Sequence, residues 1–199
     1  MFDSFRRGEF ELLQLEPYLD DFAKSFAGNV RSLNKLERGQ DFEEPGFASW
    51  DAFDAGDWDR SIALIPQKRE AYSRQLAEAA ERNILRRRLR VVEFPVTPYV
   101  QWEMFVLRLR VELGDLIRVL DARTVEDLER TDRIPELVIL GDALVYEVLY
   151  DEGATIGARR CADPEVVADA VAGFDILYER GENFVEFFDR EILPLAPPS

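Results

Sequence analysis

Histidine is absent from this sequence of 199 residues, and cysteine occurs once, as Cys161. Without histidine the chain has no imidazole general base, no Ser-His-Asp or Cys-His catalytic group and no histidine metal ligand. A single cysteine excludes an internal disulfide and a thiolate zinc site, and it is typical of proteins of the reducing cytoplasm. An enzyme built from this chain would therefore work with carboxylates, Tyr, Lys or Arg.

Long apolar runs are also missing. No run approaches the roughly 18 residues that a membrane span needs, and the N-terminal segment MFDSFRRGEF lacks the apolar stretch of a secretory signal. The hydrophobic fraction of 47% and the charged fraction of 33% are those of a folded protein in water. A chain of this length can bury one good core, so we predict a single cytoplasmic domain over residues 1–199.

Positive charge is scarce, and the shortage is greatest in the second half of the chain. The formal net charge is −15, of which residues 1–100 carry −3 and residues 101–199 carry −12. A field of this sign repels nucleic acids and anionic membranes. We therefore expect neither as a partner and favour a protein with a basic surface. The alternative is that the charge only keeps a small protein soluble.

One basic cluster has the opposite charge. It consists of Arg82, Arg86, Arg87, Arg88 and Arg90. Such a cluster can contact a phosphate or an acidic partner. The commoner explanation is a solvated strand edge whose arginines pair with acids from elsewhere in the fold, and we predict that arrangement.

Local patterns predict helices and strands along most of the chain. Helices are predicted over 18–28, 66–83, 97–114 and 163–193, the last with a break at Gly181. Strands are predicted over 86–94, 116–122, 136–141, 143–151 and 154–161. The segment 5–18 is predicted to be partly extended with a turn at Pro17, and 194–199 to be a disordered tail.

The segment 97–114 is ambiguous. Its second half alternates strictly between apolar and charged residues, which is typical of a strand, but the whole segment also has apolar residues at helical spacing. Thr97 and Pro98 match an N-cap and a first helical residue, and Gly114 matches a helix end. These end signals favour the helix.

The order of these elements predicts the fold class. Strand 86–94, helix 97–114 and strand 116–122 form a βαβ unit, which implies a parallel strand pair. Turns at Gly141-Asp142 and Glu152-Gly153 connect the next three strands into an antiparallel meander. We predict the α/β class, with α+β as the alternative: a mixed sheet with one βαβ unit, a C-terminal β-meander and a long C-terminal helix.

Residues 29–58 fit neither periodicity. Acidic residues dominate from 37 to 59, where Arg38 is the one basic residue before Arg60. The acids are Glu37, Asp41, Glu43, Glu44, Asp51, Asp54, Asp57 and Asp59. A loop of this length is uncommon in a compact domain, so we predict an acidic insert that is either mobile or a binding element. Its aromatic residues predict that part of it packs against the domain.

The order of a βαβ unit, a hairpin with a Gly-Asp turn and a long helix opened by Asp-Pro resembles the phospholipase D-like fold over residues 86–180. The motif of that family is His-x-Lys followed by Asp. On this chain Asp142 takes the aspartate position, Leu137 the lysine position and Pro135 the histidine position. The resemblance implies a histidine nucleophile and a phosphate-holding lysine. Both are missing, so we predict a scaffold without phosphodiesterase activity.

Three stretches resemble an uncharacterised actinobacterial family, a domain of unknown function whose members often sit beside helix-turn-helix regulators. They are FDSFRRGEFELLQLEPY near the start, RLRVVEFPVTPYVQWE in the middle, and LIRVL followed by ELVILGDALVYEVLYD. The resemblance implies a fold and a genomic context but no activity. It makes a helix-turn-helix regulator the expected protein partner.

The candidate ligand-binding residues are Arg88, Arg90, Tyr99, Trp102 and Glu103. They lie around the C-terminal end of the first strand of the βαβ unit, where open α/β sheets tend to bind ligands. Such a corner would suit a small acidic or aromatic ligand. The alternative is that both aromatic residues belong to the core and the glutamate pairs with an arginine.

Three carboxylates of the predicted hairpin, Asp142, Glu147 and Asp151, are of the type that Mg²⁺ binds. Their spacing across a hairpin disperses them, and a turn with solvent-facing strand residues explains them better. We therefore predict no metal site, no cofactor and no catalytic residue.

These observations predict a non-catalytic cytoplasmic module for regulation or protein interaction, with a homodimer left open. The first alternative is a small-ligand-binding protein or a carboxylate-dependent enzyme that uses the candidate corner. The second is an acidic protein that occupies the DNA-binding surface of a regulator. A deep pocket at Arg88, Arg90 and Glu103 would favour a ligand, whereas a flat acidic face would favour a protein partner.

Overall fold

The structure, a computed structural model, describes residues 1–198, and over this range one mixed sheet contains eight strands. The strands are β1 (Glu11–Gln14), β2 (Ser32–Glu37), β3 (Leu85–Val92), β4 (Leu116–Asp121), β5 (Leu137–Leu140), β6 (Leu144–Asp151), β7 (Ala154–Cys161) and β8 (Glu182–Asn183). Their order across the sheet is β1-β7-β6-β5-β2-β3-β4-β8. Strands β2, β3 and β4 run parallel and the other neighbours are antiparallel. The predicted mixed α/β sheet with its βαβ unit and C-terminal meander is confirmed.

Helices account for most of the remaining chain. They are α1 (Asp3–Arg7), α2 (Leu15–Ala27), α3 (Ala48–Asp54), α4 (Trp58–Leu64), α5 (Arg69–Glu81), α6 (Pro98–Glu112), α7 (Pro164–Arg180) and α8 (Phe184–Phe187). Short 3-10 turns lie at Ile65–Lys68 and Ala122–Val125, and a π turn at Phe188–Ile192. Over residues 1–198, no helix combines the length and the apolar character that a membrane crossing requires.

Helix α6 settles the ambiguous segment. The side chain of Thr97 accepts a hydrogen bond from the backbone N–H of Val100 at 3.2 Å, and Pro98 occupies the first helical position. Gly114 follows the helix with a φ of +101°, a conformation that favours glycine. The helix connects the parallel strands β3 and β4, as predicted. The end signals therefore outweighed the strict alternation in the second half of the segment.

The predicted C-terminal helix is confirmed, and so is its break. Asp163 caps α7 by accepting hydrogen bonds from the backbone N–H groups of Glu165 and Val166. The helix ends at Gly181. The next two residues form β8, which pairs with β4 at the edge of the sheet and was not predicted.

Helices cover both faces of the sheet. On one face α1 and α7 pack against the sheet, where Leu36 and Leu89 join the same apolar cluster as Phe174. On the other face α6 and α8 cover β4 in a cluster around Trp102, and α2 covers the meander in a separate cluster around Tyr146. The middle of this second face, at β2 and β3, lies between the two clusters.

The prediction of an insert without regular structure at 29–58 is wrong. This segment contains β2, which lies in the centre of the sheet between β3 and β5, and also α3. A central strand usually consists of apolar residues, but β2 has the sequence SLNKLE and was missed for that reason. Its polar residues have partners on β3: Asn34 accepts a hydrogen bond from Arg87, and Glu37 accepts from Arg88.

Two smaller predictions also need correction. The segment 5–18 does not turn at Pro17, because α2 already begins at Leu15 and holds this proline in its first turn, where the missing N–H is tolerated. The short helix α1 was not predicted either. Of the predicted tail at 194–199, Ser199 lies outside the described residues, and the carbonyl of Ala196 accepts a hydrogen bond from Gln101 at 2.9 Å.

Candidate ligand-binding site

A buried ion pair lies at the centre of the predicted ligand corner. Arg90 on β3 is fully buried, and its Nε donates to Glu103 Oε2 of α6 at 2.7 Å. Burial raises the pKa of Glu103 and outweighs the opposing effect of the Arg90 charge. Removing either partner would leave an uncompensated buried charge. The pair therefore holds α6 against the sheet.

The two aromatic residues of the corner are also in the core. Tyr99 and Trp102 are 4% and 1% exposed. The indole Nε1 of Trp102 donates to the buried hydroxyl of Ser49 at 2.9 Å, and the Tyr99 hydroxyl donates to the carboxylate of Glu44 at 3.3 Å. The structure brings these residues together, but the rings do not offer their faces to solvent.

Arg88 is the candidate residue on the open part of the sheet. Its Nη1 donates to both carboxylate oxygens of Glu37 at 2.9 and 2.8 Å, and Lys35 Nζ lies 2.7 Å from the same carboxylate. Burial alone would raise the pKa of Glu37, but the charges of Arg88, Lys35 and Arg90 outweigh burial and lower it. Glu37 therefore stays ionised and shared between cations.

A second carboxylate, Asp115, is shared in the same way. Arg110 donates to Asp115 Oδ2 through Nε at 2.9 Å, and its Nη2 lies 2.8 Å from that oxygen. The Nη2 atom of Arg86 lies 3.7 Å from it, which is too far for a hydrogen bond. Burial, against the charge of Asp115, lowers the pKa of Arg86. The positive charge of Arg86 is therefore only weakly balanced by a carboxylate.

A cleft of about 410 Å³ opens between α2 and the middle of the sheet. One wall is apolar and consists of Leu15, Tyr18, Leu19 and Phe22 of α2. The floor contains Leu33, Lys35, Arg86 and Arg88, and strands β5 and β6 contribute Val138, Val148 and Tyr150. The cleft thus combines an apolar wall with a cationic floor.

The cleft continues at one end into an apolar extension of about 500 Å³, with which it shares Phe22, Leu33 and Arg86. Helices α2 and α5 approach each other at this end. Arg82, the residue that follows α5, also lines the extension and donates to the carbonyl oxygen of Gly28 at 2.9 Å. This contact ties the end of α5 to the end of α2.

At the other end the cleft shares Lys35 and Arg88 with a polar recess of about 190 Å³. The recess is lined further by Tyr72, Glu103 and Arg110, and the Arg110 guanidinium lies 4.4 Å from the centre of the Tyr72 ring. Two of the predicted residues, Trp102 and Glu103, line this recess and do not line the cleft itself.

The floor carries more cations than carboxylates. Two pairs of cations each contact one carboxylate: Lys35 with Arg88 on Glu37, and Arg86 with Arg110 on Asp115. Glu37 offsets one of the charges of Lys35 and Arg88, and Asp115 is offset by Arg110, which lines the recess rather than the floor. The floor therefore keeps an excess of about two positive charges, one of them that of Arg86. Glu44 at the rim of the recess and Glu78 and Glu81 in the extension are exposed to solvent, which screens their charges. This excess lies in a protein whose net charge is −15.

Lys35 was not predicted as a site residue, and Arg86 was named only in the basic cluster that was predicted to be a solvated strand edge. That prediction is wrong about the edge, because β3 lies inside the sheet between β2 and β4. The alternation of Arg86, Arg88 and Arg90 along a predicted strand was a usable signal, since residues two apart project from the same face. Lys35 had no such signal, because the strand that carries it was not predicted.

The position that the phospholipase D-like motif gives to its lysine is occupied here by an apolar residue. Leu137 is buried in β5 at 1% exposure, and Asp142 lies in the turn between β5 and β6. Glu147 is bonded to Arg159 at 2.6 Å across the meander. Among residues 1–198, no three acidic or cysteine side chains are grouped closely enough to hold a metal ion.

The fold and the cleft define the class of this protein as a mixed α/β domain with a cationic cleft on one sheet face. The chain belongs to the family described as Domain of unknown function (DUF6879), whose model matches residues 20–189. No curated protein matches the chain. Membership in a family of unknown function is thereby confirmed, whereas its taxonomic range, its genomic neighbourhood and the likeness to the phospholipase D-like fold remain predictions.

Proposed function

We propose that this protein is a non-catalytic binding module whose cleft takes an amphipathic, anionic small molecule. One observation carries the proposal: the cationic floor of β2 and β3 faces the same space as the apolar wall of α2. The volume of the cleft lies within the usual range of small-molecule sites, about 300–1,000 Å³.

Each part of the cleft suits one part of such a ligand. Guanidinium groups form charge-assisted, bidentate hydrogen bonds with carboxylates and phosphates. An alkyl or aryl tail gains about 25 cal/mol for each Å² of apolar surface that it removes from water. Leu19, which is 52% exposed, offers such surface at the wall.

The carboxylates near the cleft support binding rather than catalysis. Glu37 has a lowered pKa, and a carboxylate that resists protonation is a weak general base. Asp115 is bonded to Arg110, and Glu103 is buried in its pair with Arg90. A carboxylate-dependent enzyme would need at least one of these groups free to reach a substrate.

Titration calorimetry with three ligands of equal tail length tests the proposal. We expect octanoate to bind below its micelle concentration and octylamine and 1-octanol to bind at least about tenfold more weakly, because a hydrogen bond to a charged group contributes about 1.5–3 kcal/mol. Leu19→Glu should abolish octanoate binding. Ile176→Glu on α7 is the matched control, since Ile176 is also 52% exposed but lies outside the cleft. Octylamine binding as tightly as octanoate, or a Leu19→Glu variant that binds normally, would overturn the proposal.

A protein partner with a basic surface is the second candidate. Helices α3 and α4 and their connection expose four carboxylates, those of Asp51, Asp54, Asp57 and Asp59. A helix-turn-helix regulator remains the partner that the family resemblance favours. A cytoplasmic, regulatory role also remains a proposal, supported by the single cysteine and the acidic charge.

A further inference from the structure

The cleft constrains the charge of its ligand as well as its polarity. We infer that the head group is a dianion of the phosphate monoester or phosphonate class, bound over Lys35, Arg86 and Arg88 with its tail along α2. This inference rests on the proposed function, because it assumes that the cleft binds an anionic amphiphile.

The three cations converge from neighbouring positions of the sheet. Arg86 and Arg88 are two residues apart on β3, so their side chains leave the same face about 6.6 Å apart along the strand. Lys35 lies directly opposite Arg88 in the parallel register, on a strand about 4.8 Å away. The three side chains thus form a triangle. The three terminal oxygens of one tetrahedral head group fit this triangle better than the oxygens of two separate carboxylates would.

The charge balance calls for two negative charges. The excess on the floor is about two, since Glu37 offsets only one of Lys35 and Arg88, and Asp115 is offset by Arg110 of the recess and leaves Arg86 unbalanced. The guanidinium of Arg86 forms no hydrogen bond within residues 1–198, and its buried Nε has no partner there. A monoanion would leave one of these cations uncompensated beside an apolar wall, which is unfavourable.

Because the chain has no histidine, a change of affinity near pH 6 can be assigned to the ionisation of the ligand rather than to that of the protein. An alkyl phosphate loses its second proton near pH 6, as phosphate esters do on proteins. No side chain of this chain has an ordinary pKa in that range. Octyl sulfate has the same tail and a single permanent charge, so it reveals any titration of the protein itself, including that of Glu103.

Affinity is measured by titration calorimetry at pH 5.0 and pH 7.5 for octyl phosphate, octyl sulfate and inorganic phosphate, below micelle concentrations. We expect octyl phosphate to bind at least about tenfold more tightly at pH 7.5 than at pH 5.0, given the strength of hydrogen bonds between charged groups. Octyl sulfate should change little, and inorganic phosphate should bind more weakly than octyl phosphate because it has no tail.

Two variants locate the effect. Arg86→Gln should remove most of the preference for octyl phosphate over octyl sulfate at pH 7.5. Arg74→Gln should leave it unchanged, because Arg74 is 64% exposed on α5 and does not line the cleft. Thermal unfolding of both variants checks that they fold.

The outcomes separate this inference from the proposed function. If octyl sulfate and octyl phosphate bind equally well at pH 7.5, the dianion inference is wrong and the anionic cleft stands. If no alkyl anion binds the folded protein at either pH, the proposed function fails as well. If inorganic phosphate binds as tightly as octyl phosphate, the tail contributes nothing and the amphipathic ligand is excluded.

Discussion

Glu37 is a carboxylate at 3% exposure that contacts both Lys35 and Arg88. Although burial acts to raise its pKa, the charges of Arg88, Lys35 and Arg90 lower it in the folded protein. A group with a lowered pKa stabilises the fold above its unfolded-state pKa, which is about 4.3 for glutamate. This contribution is lost as the pH falls from about 5 towards the pKa of the folded state.

Glu37→Gln should therefore lower the free energy of unfolding at pH 7 by about 3–5 kcal/mol, because it leaves two cations without their carboxylate. Urea unfolding at pH 7.0, 5.0 and 3.5 measures this. The loss of stability on acidification should be smaller in the variant than in the natural protein. Glu112→Gln is the control: Glu112 pairs with Arg69 at the surface, where its side chain is 45% exposed, and its removal should cost less than about 1 kcal/mol. Equal costs for the two substitutions would contradict the role assigned to Glu37.

Single residues also show what the sequence reveals about the site. The alternation of Arg88 with Arg90 along a strand was visible, but the sequence does not say that Arg90 turns into the core and pairs with Glu103 while Arg88 lines a cleft. That difference depends on α6, which covers Arg90 and leaves Arg88 beside the space under α2. Candidate residue types were thus predictable, and their exposure was not.

At the scale of elements, the edge strand β1 depends on one glycine of β7. Gly157 has a φ of +150° and pairs with Gln14, and a Cβ atom at this position would lie 2.1 Å from the carbonyl oxygen of Leu13. No other residue type fits without moving β1 away from the sheet.

We therefore expect Gly157→Ala to destabilise the protein and to remove the hydrogen-exchange protection of the β1 amides. Gly114→Ala is the control, because Gly114 has a φ of +101° but no atom within 4 Å of the added Cβ. The control should show only backbone strain of about 1–3 kcal/mol, with β1 still protected. Unchanged protection of β1 in Gly157→Ala would contradict this account.

Elements differ in how far their sequence predicts them. Helix α6 carries its own start and stop signals in Thr97, Pro98 and Gly114, so it was predictable despite its alternating second half. Strand β2 carries no such information, because Lys35 and Glu37 become favourable inside the sheet only when β3 supplies arginines beside them. Long-range pairing of this kind cannot be detected in a local window.

At the scale of the whole molecule, charge is divided between the cleft and the rest of the surface. The floor of the cleft is cationic, whereas the protein as a whole carries −15. A small anion can reach the floor because charges more than about 8 Å away are screened at physiological ionic strength. A DNA duplex is too large to avoid the acidic surface, so the same field repels it.

The acidic surface leads to the last prediction, which concerns macromolecular partners. We expect no mobility shift with duplex DNA, and we expect a protein with a basic surface to associate faster as the salt concentration falls. The Debye length grows from about 8 Å at physiological strength to about 30 Å at 0.01 M, and steering increases with it. The measurement is the association rate of a partner captured from native cell extract, at both salt concentrations.

A variant with Asp51, Asp54, Asp57 and Asp59 replaced by Asn should associate more slowly at low salt. A control variant with four exposed acids remote from α3 and α4 replaced, namely Glu16, Asp20, Glu78 and Glu81, has the same net charge and should keep most of the rate. Equal rates in the two variants would show that net charge alone steers the partner, and a shift with DNA would refute the first half of the prediction.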